Sequence, residues 1–274
     1  MLHQMLPHFR RIIKLTFYKK RDTIIDISTE RKDLMAAIDL VWHKGIKHDC
    51  SKVTELEKVS ENTYTNKYND VFRLENDLIF PLAKLKDFKK PIVTDFKRYI
   101  IVTQKKSLEE QYISNLTQTW YYLNKHAEEF NRRKDVIYID APQFSMNGID
   151  DYTYKRYKVA IPSFYKNPVF SLLYSDKPVM VKSNVCFLVF DDYNTAYSFM
   201  LLLNSSKIHD LLMSIANLDS KKPFDAKTLS KLDFKKCIDN VSFEDMQETE
   251  KLLHLESAFD KNQYDSLREY IYSL

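Results

Sequence analysis

Glycine is almost absent from this chain of 274 residues and occurs only at Gly45 and Gly148. A phosphate loop, a dinucleotide site or a methyl-donor site needs a glycine-rich turn where the backbone can approach the ligand. Two isolated glycines cannot form such a turn. The sequence therefore predicts no cofactor site in this chain, neither for a nucleotide nor for S-adenosylmethionine.

Cysteine is scarce as well, at Cys50, Cys186 and Cys237 only. Three widely separated cysteines predict neither a disulfide framework nor a zinc cluster. His43 and His48 lie near Cys50 and offer metal-ligand types, but no second pair of ligands follows. We therefore expect no metal site.

Long apolar stretches are also missing, although 44% of the residues are hydrophobic, which is ample for a packed core. No run reaches the roughly 18 apolar residues of a membrane-spanning helix. The first ten residues (MLHQMLPHFR) lack the pattern of a signal peptide. These features predict a protein without a membrane segment, located in the cytoplasm.

Adjacent prolines do not occur, which excludes the tetrapeptide that amino-group DNA methyltransferases use to hold the target base. The nearest match, residues 167–170 (NPVF), is interpreted as the entry to a strand. Acid-x-lysine pairs, which metal-dependent nucleases use, begin at five acidic residues: Glu30, Asp87, Asp95, Asp219 and Asp233. A chain with 29% charged residues produces such pairs by chance, so a nuclease centre remains only an alternative.

Charge is distributed unevenly along the chain. Residues 238–274 carry nine acidic and three basic residues, a net charge of −6, so that residues 1–237 carry +10 of the overall +4. A cationic excess of this size favours a polyanionic partner at low salt. We predict a nucleic-acid-binding domain over residues 1–237, with residues 238–274 as an acidic helical extension packed on it.

The N-terminal half mixes strand and helix patterns. Residues 10–27 predict two strands around a basic turn, and residues 28–42 predict a helix ended by Gly45. Residues 46–79 show no clear pattern, whereas residues 98–103 predict a strand. A capping box at residues 107–110 and apolar residues three and four apart predict one long amphipathic helix to Phe130.

The C-terminal half continues the mixture. Strands are predicted at residues 158–162, 169–174, 179–182 and 185–190. Asp191 or Asp192 is expected to cap a helix that is interrupted at residues 204–206 and continued to about 217. A short helix near 226–232 and helices at 242–258 and 261–273 follow. The fold class is therefore α+β, with mixed sheets, a long amphipathic helix and C-terminal helices.

One stretch, residues 131–161, concentrates cations among tyrosines around Gly148. Cations that neutralise phosphates, interleaved with aromatic rings, are typical of nucleic-acid surfaces. The predicted DNA-binding residues are those of this stretch and of two basic loops: Lys47, His48, Lys52, Arg132, Arg133, Lys134, Asn147, Tyr152, Tyr154, Lys155, Arg156, Lys158, Lys221 and Lys222.

Structural roles are the alternative for several of these residues. Tyr152 and Tyr154 could be strand residues on alternating faces. Arg132 and Arg133 could instead interact with the carbonyl groups at the end of a helix.

Separated blocks of the sequence together resemble the TaqI-like C-terminal specificity region of bacterial type II adenine-specific DNA methyltransferases. In order, the blocks are 45–53 (GIKHDCSKV), 80–84 (FPLAK), 99–104 (YIIVTQ), 119–134 (TWYYLNKHAEEFNRRK), 144–161 (FSMNGIDDYTYKRYKVAI), 177–180 (KPVM), 190–193 (FDDY), 203–205 (LNS) and 219–224 (DSKKPF). The resemblance covers about residues 40–235. It implies a region that grips double-stranded DNA and reads its sequence.

In that family a separate domain binds S-adenosylmethionine and methylates a flipped-out adenine. The resemblance therefore implies that S-adenosylmethionine belongs to a separate catalytic domain or to a methyltransferase partner. It also implies that this chain, which has no methyltransferase motifs of its own, recognises DNA in a restriction–modification system as a free-standing specificity subunit, a split gene product or the recognition half of a restriction enzyme. Two alternatives remain open. One is a site-specific type II endonuclease, and the other is an assembly subunit that docks a methyltransferase through its acidic C-terminal helices.

Overall fold

The computed structural model describes the backbone of residues 17–20, 23–26, 40–105, 109–256 and 258–274, and side chains from residue 40 onward within these ranges. The chain divides into two compact units, residues 42–271 and a smaller unit of residues 1–41 with 272–274. In the smaller unit β1 (Phe17–Lys20) and β2 (Thr23–Asp26) form an antiparallel hairpin. The predicted hairpin is thus confirmed. The predicted helix lies outside the described residues up to 39, and residues 40–42 are not helical.

A five-stranded sheet, here called the first sheet, forms one half of the larger unit. Its strands in spatial order are β3 (His43–Lys44), β12 (Val185–Phe190), β10 (Tyr157–Pro162), β11 (Ser171–Leu173) and β8 (Ile92–Val93). Only the β11–β8 pair is parallel. The central strands β10 and β12 are buried almost throughout, as expected of strands covered on both faces. The sequence predicted these three neighbouring strands, β10, β11 and β12.

A second five-stranded sheet is antiparallel throughout. Its strands in spatial order are β6 (Val71–Arg73), β5 (Thr63–Thr65), β4 (Glu55–Ser60), β9 (Arg98–Ile101) and β7 (Ile79–Pro81). A short helix, α1 (Ser51–Thr54), leads into β4. The turns of the β4–β5–β6 meander contain Asn62 and Asn69 with positive φ angles of 54° and 62°, which asparagine tolerates well. Strands β4, β5 and β6 were not predicted, although these asparagines, as typical turn residues, indicate where the turns between them lie.

The two sheets are joined by a seam of backbone hydrogen bonds along residues 46–47, 82–83 and 180–182. The amide of Leu82 donates to the Arg98 carbonyl on β9 (2.9 Å), and the amide of Ala83 donates to the Met180 carbonyl (2.9 Å). The amide of Ile46 donates to the Val181 carbonyl (2.8 Å). Residues 179–182, predicted as a strand, form isolated bridges in this seam.

The predicted long helix is three short helices, α2 (Glu110–Asn115), α3 (Thr117–Lys125) and α4 (Ala127–Asn131). Helix α2 ends at Asn115, because the next residue, Leu116, has a ψ of 82° and leaves the helical region. There the carboxylate of Glu75 accepts hydrogen bonds from the amides of Gln118 and Thr119 (both 2.9 Å) and from the Thr119 hydroxyl (2.7 Å). An acidic side chain from another segment thus starts a new helix. Ser107 of the predicted capping box lies outside the described residues.

Replacement of Glu75 by alanine is expected to lower the free energy of unfolding by about 1–2 kcal/mol, because the first amides of α3 lose their acceptor. Urea denaturation measures this change. Glu61 is the matched control: its side chain is exposed in the β4–β5 turn, so Glu61→Ala should change stability by less than about 0.5 kcal/mol. Equal effects of the two substitutions would contradict this role of Glu75.

Six further helices follow the seam. They are α5 (Tyr193–Asn204), α6 (Ser206–Ile215), α7 (Ala226–Leu229), α8 (Phe234–Asn240), α9 (Phe243–Leu252) and α10 (Lys261–Ser273). The carboxylate of Asp192 caps α5 by accepting a hydrogen bond from the Thr195 amide (2.8 Å), and Ser205 separates α5 from α6. Both features were predicted. Helix α8 was not predicted, and α9 is shorter than expected.

Helix α5 packs on strands β10, β11 and β12 of the first sheet, whereas helices α2, α3 and α4 contribute to the core beside the second sheet. The predicted α+β class is confirmed. Within the described ranges, no helix combines the length and apolar character required to cross a bilayer.

Candidate nucleic-acid interface

Arg133 donates hydrogen bonds to backbone carbonyls of its own segment, residues 130–145. Its Nε donates to the Phe130 carbonyl (3.0 Å), and its two terminal nitrogens donate to the carbonyls of Ser145 (2.5 Å) and Gln143 (2.6 Å). The guanidinium also lies 3.8 Å from the centre of the Tyr138 ring. The structural alternative therefore fits Arg133 better than contact with a base edge does.

Lys158 lies on β10 in the core, with 1% of its surface exposed. Its Nζ donates to the Lys155 carbonyl (2.6 Å), and burial lowers the pKa of Lys158 to about 7. An ammonium in this position cannot reach a phosphate on the surface. Because Lys158 stands among many other cations in the sequence, nothing in the sequence indicated that it is buried.

Other cations of the stretch from 131 to 161 are exposed, but two of them have carboxylate partners. Arg132 pairs with Glu128 (2.9 Å) and Glu129 (3.3 Å) on its own helix. Lys155 pairs with Asp191 (2.5 Å). The remaining two, Lys134 and Arg156, are also exposed, and Arg156 lies 5.5 Å from the centre of the Tyr157 ring.

Tyr152 and Tyr154 belong to a 3-10 turn, Asp151–Tyr154, and not to a strand. Tyr152 stacks on His43 with ring centres 3.8 Å apart, and burial lowers the pKa of His43. The Tyr154 hydroxyl donates to the Gln104 carbonyl, and burial raises its pKa to about 12. Both rings are therefore packed inward to a large degree.

Lys47 and Asn147 are brought together across 100 residues of sequence by a pair of backbone hydrogen bonds, each 2.9 Å long. The Lys47 ammonium pairs with Asp135, which raises the pKa of Lys47 and lowers that of the carboxyl. The side chain of Asn147 is exposed. Lys221 and Lys222 are exposed in the loop between α6 and α7, with Lys222 5.2 Å from the centre of the Phe164 ring.

His48 is buried next to a carboxylate that the sequence did not single out. Its Nδ1 lies 3.0 Å from the Thr54 hydroxyl, and its Nε2 lies 3.5 Å from Oε1 of Glu55. The Glu55 side chain is 0% exposed. Three lysines surround the same carboxylate, and together with Glu55 and His48 they are called the Glu55 cluster: Lys182 at 2.7 Å from Oε1, Lys84 in contact with Oε2, and Lys67 at 3.6 Å from Oε2.

Electrostatics keeps Glu55 ionised in spite of its position. Burial raises the pKa of this carboxyl, but the nearby His48 ring and the hydrogen bonds from Lys182 and Lys84 outweigh burial and hold the pKa well below its usual range. Burial lowers the pKa of Lys84 in turn, against the opposing effect of Glu55. The cluster therefore carries one negative charge and three lysine side chains.

Lys84 and Lys182 also line a cavity of about 390 Å³ beside the seam, here called the basic cleft. Its full lining is Ala83, Lys84, Leu85, Lys86, Arg98, Lys182, Asn184 and Val185. Four of these eight residues are cations, and Arg98 is paired with Glu57 on the neighbouring strand β4. The cleft is thus a concave surface with an excess of positive charge.

No local pattern predicts the basic cleft, because its cations are distant in sequence. Lys84 and Lys86 follow the seam at residues 82–83, Arg98 begins β9, and Lys182 follows the bridge at Met180. Of the residues predicted to bind DNA, His48 lies in the Glu55 cluster. Lys52 is next to this cluster in the fold, because its carbonyl accepts a hydrogen bond from the amide of Lys67 (3.1 Å). In the described part of the chain, no group of three histidine, cysteine or acidic side chains is arranged to hold a metal ion.

Comparison with known proteins shows that part of the chain is similar to a type II methyltransferase. The relative found is Type II methyltransferase M.NspV from Nostoc sp., which is 36% identical over 199 residues. The aligned segment covers 71% of this chain and 41% of M.NspV, so the chain spans less than half of the relative's length. No protein-family model matches the chain.

Proposed function

We propose that this chain is a DNA sequence-recognition module of a bacterial restriction–modification system, corresponding to the target-recognition region of adenine-specific DNA methyltransferases. The observation that carries the proposal is the basic cleft at the seam between the two sheets. The relationship to a type II methyltransferase supports it and gives no support to the endonuclease alternative.

The partner in this proposal is double-stranded DNA, whose phosphates the cations of the cleft neutralise. The four cations of the cleft hold the DNA backbone and set the register of the protein on the duplex: Lys84, Lys86, Arg98 and Lys182. Exposed residues outside the cleft, such as Asn147 and Arg156, then remain for contacts with base edges, where one good bidentate contact discriminates by about 1–3 kcal/mol.

The division of the chain belongs to the same proposal. Residues 1–237 form the recognition domain, and the acidic residues 238–274 face away from DNA, because a net charge of −6 would repel phosphates. The proposal assigns recognition to this chain and methyl transfer, with S-adenosylmethionine, to a catalytic domain or partner.

The double substitution Lys86→Ala/Arg98→Ala tests the cleft. We expect the slope of log affinity against log salt to fall by about 2, because two phosphate contacts are lost, and the affinity for DNA to fall about tenfold or more. Fluorescence anisotropy with a labelled duplex of arbitrary sequence, titrated at several salt concentrations, measures both values.

Lys235→Ala/Lys236→Ala is the matched control, since it removes the same charge from exposed positions on α8. It should leave the slope nearly unchanged. Equal losses in the two double variants would show attraction by net charge alone, and absence of binding by the unsubstituted chain would end the proposal. Selection of preferred duplexes from a random pool then tests sequence specificity.

A further inference from the structure

The Glu55 cluster contains more positive charge than a buried carboxylate requires. One carboxylate without exposed surface is contacted by Lys182 and Lys84 and approached by Lys67 at 3.6 Å. A single well-placed ammonium already neutralises a buried carboxylate, and each additional one is repelled by the first. Lys84 and Lys182 are only 24% and 37% exposed, so solvent screens this repulsion incompletely.

Lys182 and Lys84 bind different oxygens of the Glu55 carboxylate. Lys182 donates to Oε1, and Lys84 donates to Oε2. Both lysines belong to the lining of the basic cleft. Each ammonium group carries three N–H donors, so a hydrogen bond to Glu55 leaves two donors on each lysine for another acceptor.

We propose that Glu55 is a positioning residue, which holds Lys84 and Lys182 side by side as a clamp for a phosphate of the DNA backbone. This inference rests on the proposed function and specifies where the phosphate binds. A free lysine side chain loses up to about 2 kcal/mol of conformational free energy when it is fixed. Because Glu55 fixes both side chains before DNA arrives, this loss is not repeated on binding.

His48 and β4 explain how Glu55 itself is kept in place. Glu55 is the first residue of β4, where its backbone pairs with Ile100 of β9. The buried His48 lies on the same carboxylate oxygen as Lys182, with its Nδ1 next to Thr54. The carboxylate is therefore anchored to the second sheet, while Lys182 comes from the seam.

Glu55→Gln separates this proposal from simple electrostatics. The substitution removes one negative charge, so attraction by net charge alone predicts tighter binding of DNA. The clamp predicts the opposite. We expect five- to tenfold weaker binding of a labelled duplex of arbitrary sequence and a salt slope lower by about 1, because the two lysines no longer act together on one phosphate.

Two other variants keep the test decisive where Glu55→Gln does not fold, as judged by circular dichroism. Lys84→Met and Lys182→Met, with Glu55 intact, should each lower the slope by about 1. In the Lys84→Met/Lys182→Met background, Glu55→Gln should have no further effect on the slope. Glu61→Gln, on the exposed β4–β5 turn, removes the same charge and should not weaken binding.

The outcomes distinguish the two proposals. If the unsubstituted chain does not bind DNA, the proposed function fails. If it binds and a folded Glu55→Gln variant binds equally well or more tightly, or if both lysine variants keep the full slope, the phosphate clamp is overturned while DNA recognition stands.

Discussion

Replacing Gly45 by alanine is expected to destabilise the chain by about 3 kcal/mol or more, at the upper end of the range for overpacked sites. A Cβ atom at this position would lie 2.3 Å from the carbonyl oxygen of Val181 and 2.4 Å from that of Lys182. Both are backbone atoms, which cannot rotate away as a flexible side chain can.

The seam makes relaxation at Gly45 costly. The Gly45 amide donates to the Val185 carbonyl (3.1 Å), and the next amide, of Ile46, donates to the Val181 carbonyl (2.8 Å). A shift large enough to relieve the overlap would break these bonds. Gly45 is thus a site of close backbone approach in β-structure, which corrects the prediction that it ends a helix.

Gly148→Ala is the matched control for this substitution. Gly148 has a φ of +79°, but a Cβ atom there would lie 3.2 Å from its nearest neighbour, the Gly45 carbonyl oxygen. Its cost should be mainly that of a left-handed residue, about 1–2 kcal/mol. Urea denaturation of both variants gives the comparison, and a Gly45→Ala variant as stable as Gly148→Ala would refute the close-approach argument.

Elements set by local signals were predictable from the sequence. The apolar run at residues 185–190 and the capping aspartate at 192 each act on their own neighbours, and both appear in the fold as β12 and α5. The break between α2 and α3 was not predictable in this way, because Glu75 starts α3 from 43 residues away. The helical spacing of apolar residues continues across the junction of α2 and α3, so this spacing alone predicts one uninterrupted helix.

In the candidate site, too, local features were predictable from the sequence and long-range contacts were not. The local density of cations in residues 131–161 predicts a DNA-binding surface, but Arg133 and Lys158 donate to backbone carbonyls in the fold. Glu55 is separated from Lys84 by 29 residues and from Lys182 by 127. Pairing across such distances follows from the packing of the two sheets, which no local pattern encodes.

Lys158→Met is expected to stabilise the chain near neutral pH, and the gain should shrink as the pH rises. In the folded chain burial lowers the pKa of Lys158 to about 7, whereas a lysine in the unfolded chain titrates near 10.4. Between these values the unfolded state binds more protons, so the stability of the unsubstituted chain rises with pH. Below pH 7 both states are protonated, and the full penalty of burying the charge is present.

The size of the effect follows from the separation of the two pKa values. The full penalty is roughly 5 kcal/mol, and about 2 kcal/mol of it should disappear between pH 7 and pH 9. Methionine keeps the length and flexibility of the side chain without its charge, although the Lys155 carbonyl loses its donor, which offsets about 1 kcal/mol of the gain. The difference in unfolding free energy between variant and unsubstituted chain, measured by urea denaturation across this range, isolates Lys158 from other titrating groups.

Lys155→Met provides the control, because this lysine is exposed and its backbone carbonyl remains in place. Its difference from the unsubstituted chain should stay constant over the same pH range. If the curves for Lys158→Met and the unsubstituted chain instead run parallel from pH 7 to pH 9, Lys158 does not titrate in the core. In that case its ammonium must reach solvent, and it would return to the set of cations available to DNA.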